Sequence, residues 1–122
     1  MKYTFLPLLL LLVSCYNPER KCSDFKIGKF YSETTFKGQK FHSVSIRTDS
    51  LVIETFNGKT DTSSVRWISD CEFVVQKLHP KTMLEKKAID IKILTTSKNS
   101  YTFEFGVVGD DKKQRGTATK ME

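Results

Sequence analysis

The sequence predicts an all-β domain: a single antiparallel meander of about eight strands that forms a small barrel or a strongly curved open sheet. Three observations predict it. Apolar and polar residues alternate with period two in segment after segment, as in Ile89-Asp90-Ile91-Lys92-Ile93 and Tyr101-Thr102-Phe103-Glu104-Phe105. Turn-forming residues punctuate these segments at short intervals. Asn57-Gly58 is the strongest hairpin signal, because both positions tolerate positive φ. After the amino-terminal apolar run, no stretch of helical period has useful length.

In chain order, residues 16–24 contain Pro18 and several charges without an apolar period, and read as a tether. Phe25-Lys26-Ile27 alternates, and Gly28 marks a bulge ahead of Phe30 and Tyr31. Lys37-Gly38-Gln39 is a turn. His42, Val44 and Ile46 then share one face of a strand, with Ser43, Ser45 and Arg47 on the other. The apolar set is expected inside and His42 at the edge of the core. Thr48-Asp49-Ser50 turns into the β-branched run 51–56, and Asn57-Gly58 leads to a return strand over about 60–68, with Val65 and Trp67 on one face. Ser69-Asp70 is a tight connection to a strand that aligns Cys71, Phe73 and Val75. His79-Pro80-Lys81 breaks the pattern, and residues 83–87 suit a brief helical turn. The Ile89 strand, a turn over 97–100 and the Tyr101 strand follow. Gly109-Asp110-Asp111 opens a charged hairpin loop, and a short strand over 116–120 closes the series.

The amino terminus has the form of a secretory signal: Lys2, the apolar run from Phe5 to Val13, then Leu12-Val13-Ser14-Cys15. The run is too short to span a bilayer, which takes about 20 apolar residues. Leu12-Val13-Ser14-Cys15 resembles the lipobox of bacterial lipoproteins. The resemblance implies a signal peptide over 1–14, acylation of Cys15, a lipidated tether over 15–24 and an all-β domain over 25–122. Tyr16 stands where an inner-membrane retention signal places Asp, so the expected location is the outer membrane, facing the periplasm. Cleavage would leave 108 residues, one domain, and lower the net charge from +6 to +5 with the loss of Lys2.

On that reading Cys15 is consumed by lipid, and Cys22 and Cys71 remain. An oxidising compartment favours a disulfide between them. The alternatives are two free thiols or a metal site, but His42 and His79 stand at no recognised ligand spacing. No metal and no cofactor is expected.

The chemistry-bearing residues form no familiar constellation. His42 and His79 accompany no nucleophile motif. Asp110-Asp111 sits between Gly109 and Lys112-Lys113, as at a solvated loop tip. The basic excess could attract anionic lipid or nucleic acid. Aromatics do interleave with Lys over residues 25–31, yet they fit inward strand positions, and a single-strand binder needs them exposed. Nucleic acid is not an expected partner. The inward aromatics Trp67, Phe73, Tyr101, Phe103 and Phe105 either fill the core or line a cavity for one apolar molecule.

The mature chain also resembles short Bacteroidetes-type envelope lipoproteins of unassigned function. The resemblance lies in three stretches. They are Cys22-Ser23-Asp24-Phe25-Lys26-Ile27-Gly28-Lys29-Phe30, Val65-Arg66-Trp67-Ile68-Ser69-Asp70-Cys71-Glu72-Phe73 and Ser100-Tyr101-Thr102-Phe103. Such chains sometimes carry a DNA topoisomerase IV name, but a domain of this size has no room for a DNA-cleaving core. The expectation is a non-enzymatic binding or structural module, held to the membrane by lipid and partnered by an envelope protein or lipid. The alternative is a carrier of a small apolar or lipid ligand in a β-barrel cavity.

Overall fold

Eight antiparallel strands run up and down around a closed barrel, each bonded to its neighbours in sequence and β8 bonded back to β1. The computed structural model describes residues 20–121. The strands are β1 Gly28–Phe36, β2 Gln39–Arg47, β3 Leu51–Phe56, β4 Lys59–Ser69, β5 Glu72–Lys77, β6 Ile89–Thr96, β7 Ser100–Val107 and β8 Gln114–Lys120. Closure removes both sheet edges, which leaves no strand template for aggregation. The signal peptide, Cys15 and the first part of the tether lie outside the described residues.

Local chemistry sets the hairpins. Lys37-Gly38 and Asn57-Gly58 both place two consecutive residues at positive φ, the twist that two-residue hairpin loops require. These turns, with the longer connections 78–88 and 108–113, form one end of the barrel, the mouth. The connections 48–50, 70–71 and 97–99 form the other end, the floor.

The floor is plugged by a 3-10 helix, Cys22–Phe25, where the sequence suggested a plain tether and then the start of a strand. Cys22 and Phe25 turn into the barrel and join Phe30, Ile93, Tyr101, Phe103 and Ala118 in the buried core. Phe25 meets Tyr101 edge-on at 5.2 Å, a favourable aromatic geometry. Cys22 forms a disulfide with Cys71 in the β4–β5 turn. Further ties hold the segment down. Arg20 Nη1 donates to Ile93 O at 2.9 Å and Lys120 Nζ to Asp24 O at 2.8 Å, and the Lys21 amide donates to Thr96 Oγ1 at 2.9 Å.

The register assigns every side chain to the inside or the outside, because directly paired residues share a face. Phe30 pairs with Ser45 and Ser32 with Ser43; Arg47 pairs with Val52 and Ser45 with Glu54. The inner face of β2 is therefore Phe41, Ser43, Ser45 and Arg47. This reverses the expectation from sequence: Val44 and Ile46 point outward, and Ile46 is 47% exposed. His42 also points outward. It stacks on the Tyr31 ring, hydrogen-bonds to Tyr31 Oη and lies 3.5 Å from Glu33 Oε2. Alternation located the strand correctly, but hydrophobicity chose the wrong face, because the interior beside β2 is hollow rather than packed.

Gly116 shows how tightly the opposite wall packs. It faces inward opposite Phe103 and Thr34. A Cβ there would lie 2.7 Å from Phe103 Cζ and 2.6 Å from Thr34 Cγ2, so the Phe103 ring occupies the space that any larger residue would need.

Candidate ligand-binding site

Above the floor the barrel is not filled. A cavity of about 510 Å³ opens toward the mouth, within the range of about 300–1,000 Å³ usual for small-molecule sites. Its two walls differ in chemistry. β5, β6 and β7 supply Phe73, Val75, Ile89, Ile91, Phe103 and Phe105. β1 and β2 supply Ser32, Thr34, Ser43 and Ser45 together with Phe41, and the neighbouring strands β3 and β4 add Glu54 and Ser63 with Val52 and Phe56. An apolar wall thus faces a wall rich in hydroxyls.

The hydroxyl wall follows from the register. Ser32 and Ser43 are direct partners across β1 and β2, and Ser43 Oγ donates to Glu54 Oε2 at 2.8 Å on β3. These side chains are short, and short side chains leave room. A completely filled eight-stranded barrel uses bulky branched residues at such positions.

Of the aromatics expected to face a cavity, Phe73, Tyr101, Phe103 and Phe105 border it. Trp67 does not. It stacks on Phe73 at 4.4 Å, lies under Lys26 Nζ at 5.0 Å and packs against the buried floor cluster. Its Nε1 is buried without a hydrogen-bond partner among the described residues. The aromatics that can touch a ligand thus come from β5 and β7, while Trp67 belongs to the floor.

Alternation alone did not reveal three participants. Ser43 and Ser45 looked like a solvated face. Arg47 looked like the charged end of that face, yet it is 4% exposed and forms part of the cavity floor. The signal that could have found it is the invariant parity of a strand: once the turns fix which residues pair, one inward residue commits all its i±2 neighbours.

The mouth is apolar and basic. Phe36, Phe56, Leu78, Met83, Leu84 and Val108 are exposed there, Met83 at 74%. Lys77 sits on the rim, donating to Asp61 Oδ2 at 3.1 Å with Glu85 Oε2 at 3.7 Å. The hydrogen bond to Asp61, opposed by some burial, raises its pKa and keeps it cationic. The connection 78–88 forms a turn in which Lys86 and Lys87 amides donate to Met83 O and Leu84 O, and Gln76 Nε2 fastens it through Lys86 O at 2.8 Å. His79 lies exposed in this connection.

On the outer wall, Glu72 and Asp90 form a carboxyl pair. The hydrogen bond with Asp90, together with burial and repulsion, raises the Glu72 pKa. This pair faces away from the cavity, since the inward residues of β5 and β6 are Phe73, Val75, Ile89 and Ile91. Comparison with protein-family models, curated proteins and solved structures gives no match. The geometry of the site therefore carries the functional reading.

Proposed function

We propose that this protein is a non-enzymatic binding protein of the bacterial envelope that holds one small, largely apolar molecule inside its barrel. The observation that carries the reading is the open cavity of about 510 Å³ between an apolar and a hydroxyl wall. An eight-stranded barrel has an interior just wide enough either to be filled by side chains or to hold one small ligand. The short residues Ser32, Ser43 and Ser45 favour the second use.

In the same proposal, Cys15 carries the lipid anchor and the barrel stands at the outer membrane, facing the periplasm. The lipobox pattern supports this, and a Cys22–Cys71 disulfide suits an oxidising compartment. Arg20 is tied to the floor. Four residues would separate it from an acylated Cys15, five steps along the chain with a reach of at most about 18 Å. The floor would then face the membrane and the mouth would open away from it, toward soluble envelope partners.

The test is titration of the disulfide-intact domain with phenylnaphthylamine, an uncharged dye that fluoresces in apolar surroundings. Saturable fluorescence is expected, and Val75→Trp, which places an indole in the cavity, should abolish it while the far-ultraviolet spectrum stays unchanged. Equal fluorescence from Val75→Trp would mean that the dye binds elsewhere and that the cavity is not the site.

A further inference from the structure

The cavity floor carries a charge without a counter-charge. Arg47 is 4% exposed, and among the described residues no carboxylate lies within ion-pair distance of it. Burying a guanidinium is costly unless its charge and its donors are met. What meets them is neutral. Nε donates to Lys26 O at 3.1 Å, and Nη2 donates to Phe25 O and to Tyr101 Oη. The guanidinium lies over the Phe30 ring at 4.4 Å and the Phe73 ring at 4.6 Å, a cation–π arrangement.

These contacts leave donors over. A guanidinium has five N–H groups in a rigid fork. The three hydrogen bonds occupy Nε and Nη2, and Nη1 has no partner among the described residues. Arg47, Ser45 and Tyr101 all border the cavity. Glu54 is the carboxylate on the neighbouring strand, but its register partner is Ser45, one step nearer the mouth, and it is engaged by Ser43 Oγ.

We propose that the floor is an anion subsite, and that the ligand is an amphiphile with a single carboxylate. The carboxylate accepts from Arg47 Nη1, with the Tyr101 and Ser45 hydroxyls beside it. The apolar body lies along Ile91, Phe105 and Ile89 and ends near Phe56 and Leu84 at the mouth. One free cationic edge suits one negative charge. A phosphate dianion would need a second cation beside Arg47, and the two lysines that line the cavity, Lys77 and Lys87, stand at the mouth end, Lys77 held there by Asp61 and Glu85. This inference rests on the reading of the barrel as a ligand-binding module.

The experiment is displacement of phenylnaphthylamine from the disulfide-intact wild-type domain by decanoate and by decanol, which share a chain and differ in charge. Decanoate should displace the dye at a concentration at least about tenfold lower than decanol, as expected for a charge-assisted hydrogen bond to a largely buried guanidinium. Arg47→Gln should bring the two together. Should that variant fail to fold, nuclear Overhauser contacts in the wild type decide. The methylene next to the carboxylate should contact the Tyr101 ring, and the terminal methyl should contact Leu84 or Phe56. Equal potency of the two compounds, displacement by neither, or the reversed orientation would overturn the anion subsite while leaving the cavity as a dye-binding site. Failure of the dye itself to bind would overturn the cavity reading and the subsite together.

Discussion

The two ends of this barrel are built on opposite principles. At the floor, Phe25, Phe30 and Ile93 are sealed from solvent, a disulfide joins the plug to the β4–β5 turn, and backbone carbonyls meet Arg47. At the mouth, Phe36, Phe56, Met83 and Leu84 stay exposed, and the two longest connections among the described residues, 78–88 and 108–113, lie at this end. Burial is concentrated at one end, and open volume at the other. A local opening of the mouth can then occur without global unfolding, since regions with few buried apolar contacts are the first to open.

Substitutions at the two ends should separate accordingly. The largest effect is expected from Phe25→Ala, which empties the centre of the plug. It should cost about 3–5 kcal/mol, read from urea denaturation. A loss below about 1 kcal/mol would mean that the plug is peripheral. Removing the disulfide with Cys22→Ala and Cys71→Ala should come next, at about 2–4 kcal/mol, since the bridge closes a loop of 49 residues. Unchanged urea midpoints would show that the remaining ties to Ile93, Thr96 and Lys120 suffice. Gly116→Val should destabilise by about 1–3 kcal/mol through overpacking against Phe103; a neutral result would mean that the wall has slack there.

The mouth should behave differently. Leu84→Ser ought to change stability by no more than about 0.5 kcal/mol, because Leu84 is mostly exposed. It should nevertheless weaken dye binding, and a fall in stability comparable to that of Phe25→Ala would erase the contrast between the ends.

The smallest effect concerns the outer carboxyl pair. A carboxyl whose pKa is raised on folding binds its proton more tightly in the folded state. Its stabilisation is therefore full below the unfolded value and is lost as pH rises through the raised one. Glu72→Gln should consequently raise the stability at neutral pH slightly, by no more than about 0.5 kcal/mol in a pair still partly open to solvent. The gain should vanish in acid. A gain that persists at low pH would assign the effect to something other than the Asp90 contact.

Much of the fold was legible because β-structure writes itself in period two. The Ile89 and Tyr101 strands and the Asn57-Gly58 hairpin stand where alternation and turn chemistry put them. Closure was not legible, since it depends on β1 meeting β8, a pairing at long range. Nor was the plug. Residues 22–25 form a 3-10 helix because the disulfide and the floor contacts hold Cys22 and Phe25 inward, and no local pattern announces that. The cavity was half legible. Its aromatic wall follows from apolar alternation. Its hydroxyl wall was misread, because polar residues on one face normally mean solvent, and here they mean a hollow interior.

The inward face of these strands, polar and apolar alike, is proposed to line a binding cavity. Amide chemical-shift mapping with decanoate tests it most directly, since inward and outward residues alternate along the same strands. Shifts are expected at Ser43, Ser45, Val75, Ile91 and Phe105, with little change at Val44, Ile46, Val74 and Lys92. Shifts concentrated on the outward Ile46 and Ile53, or spread without regard to strand parity, would contradict it.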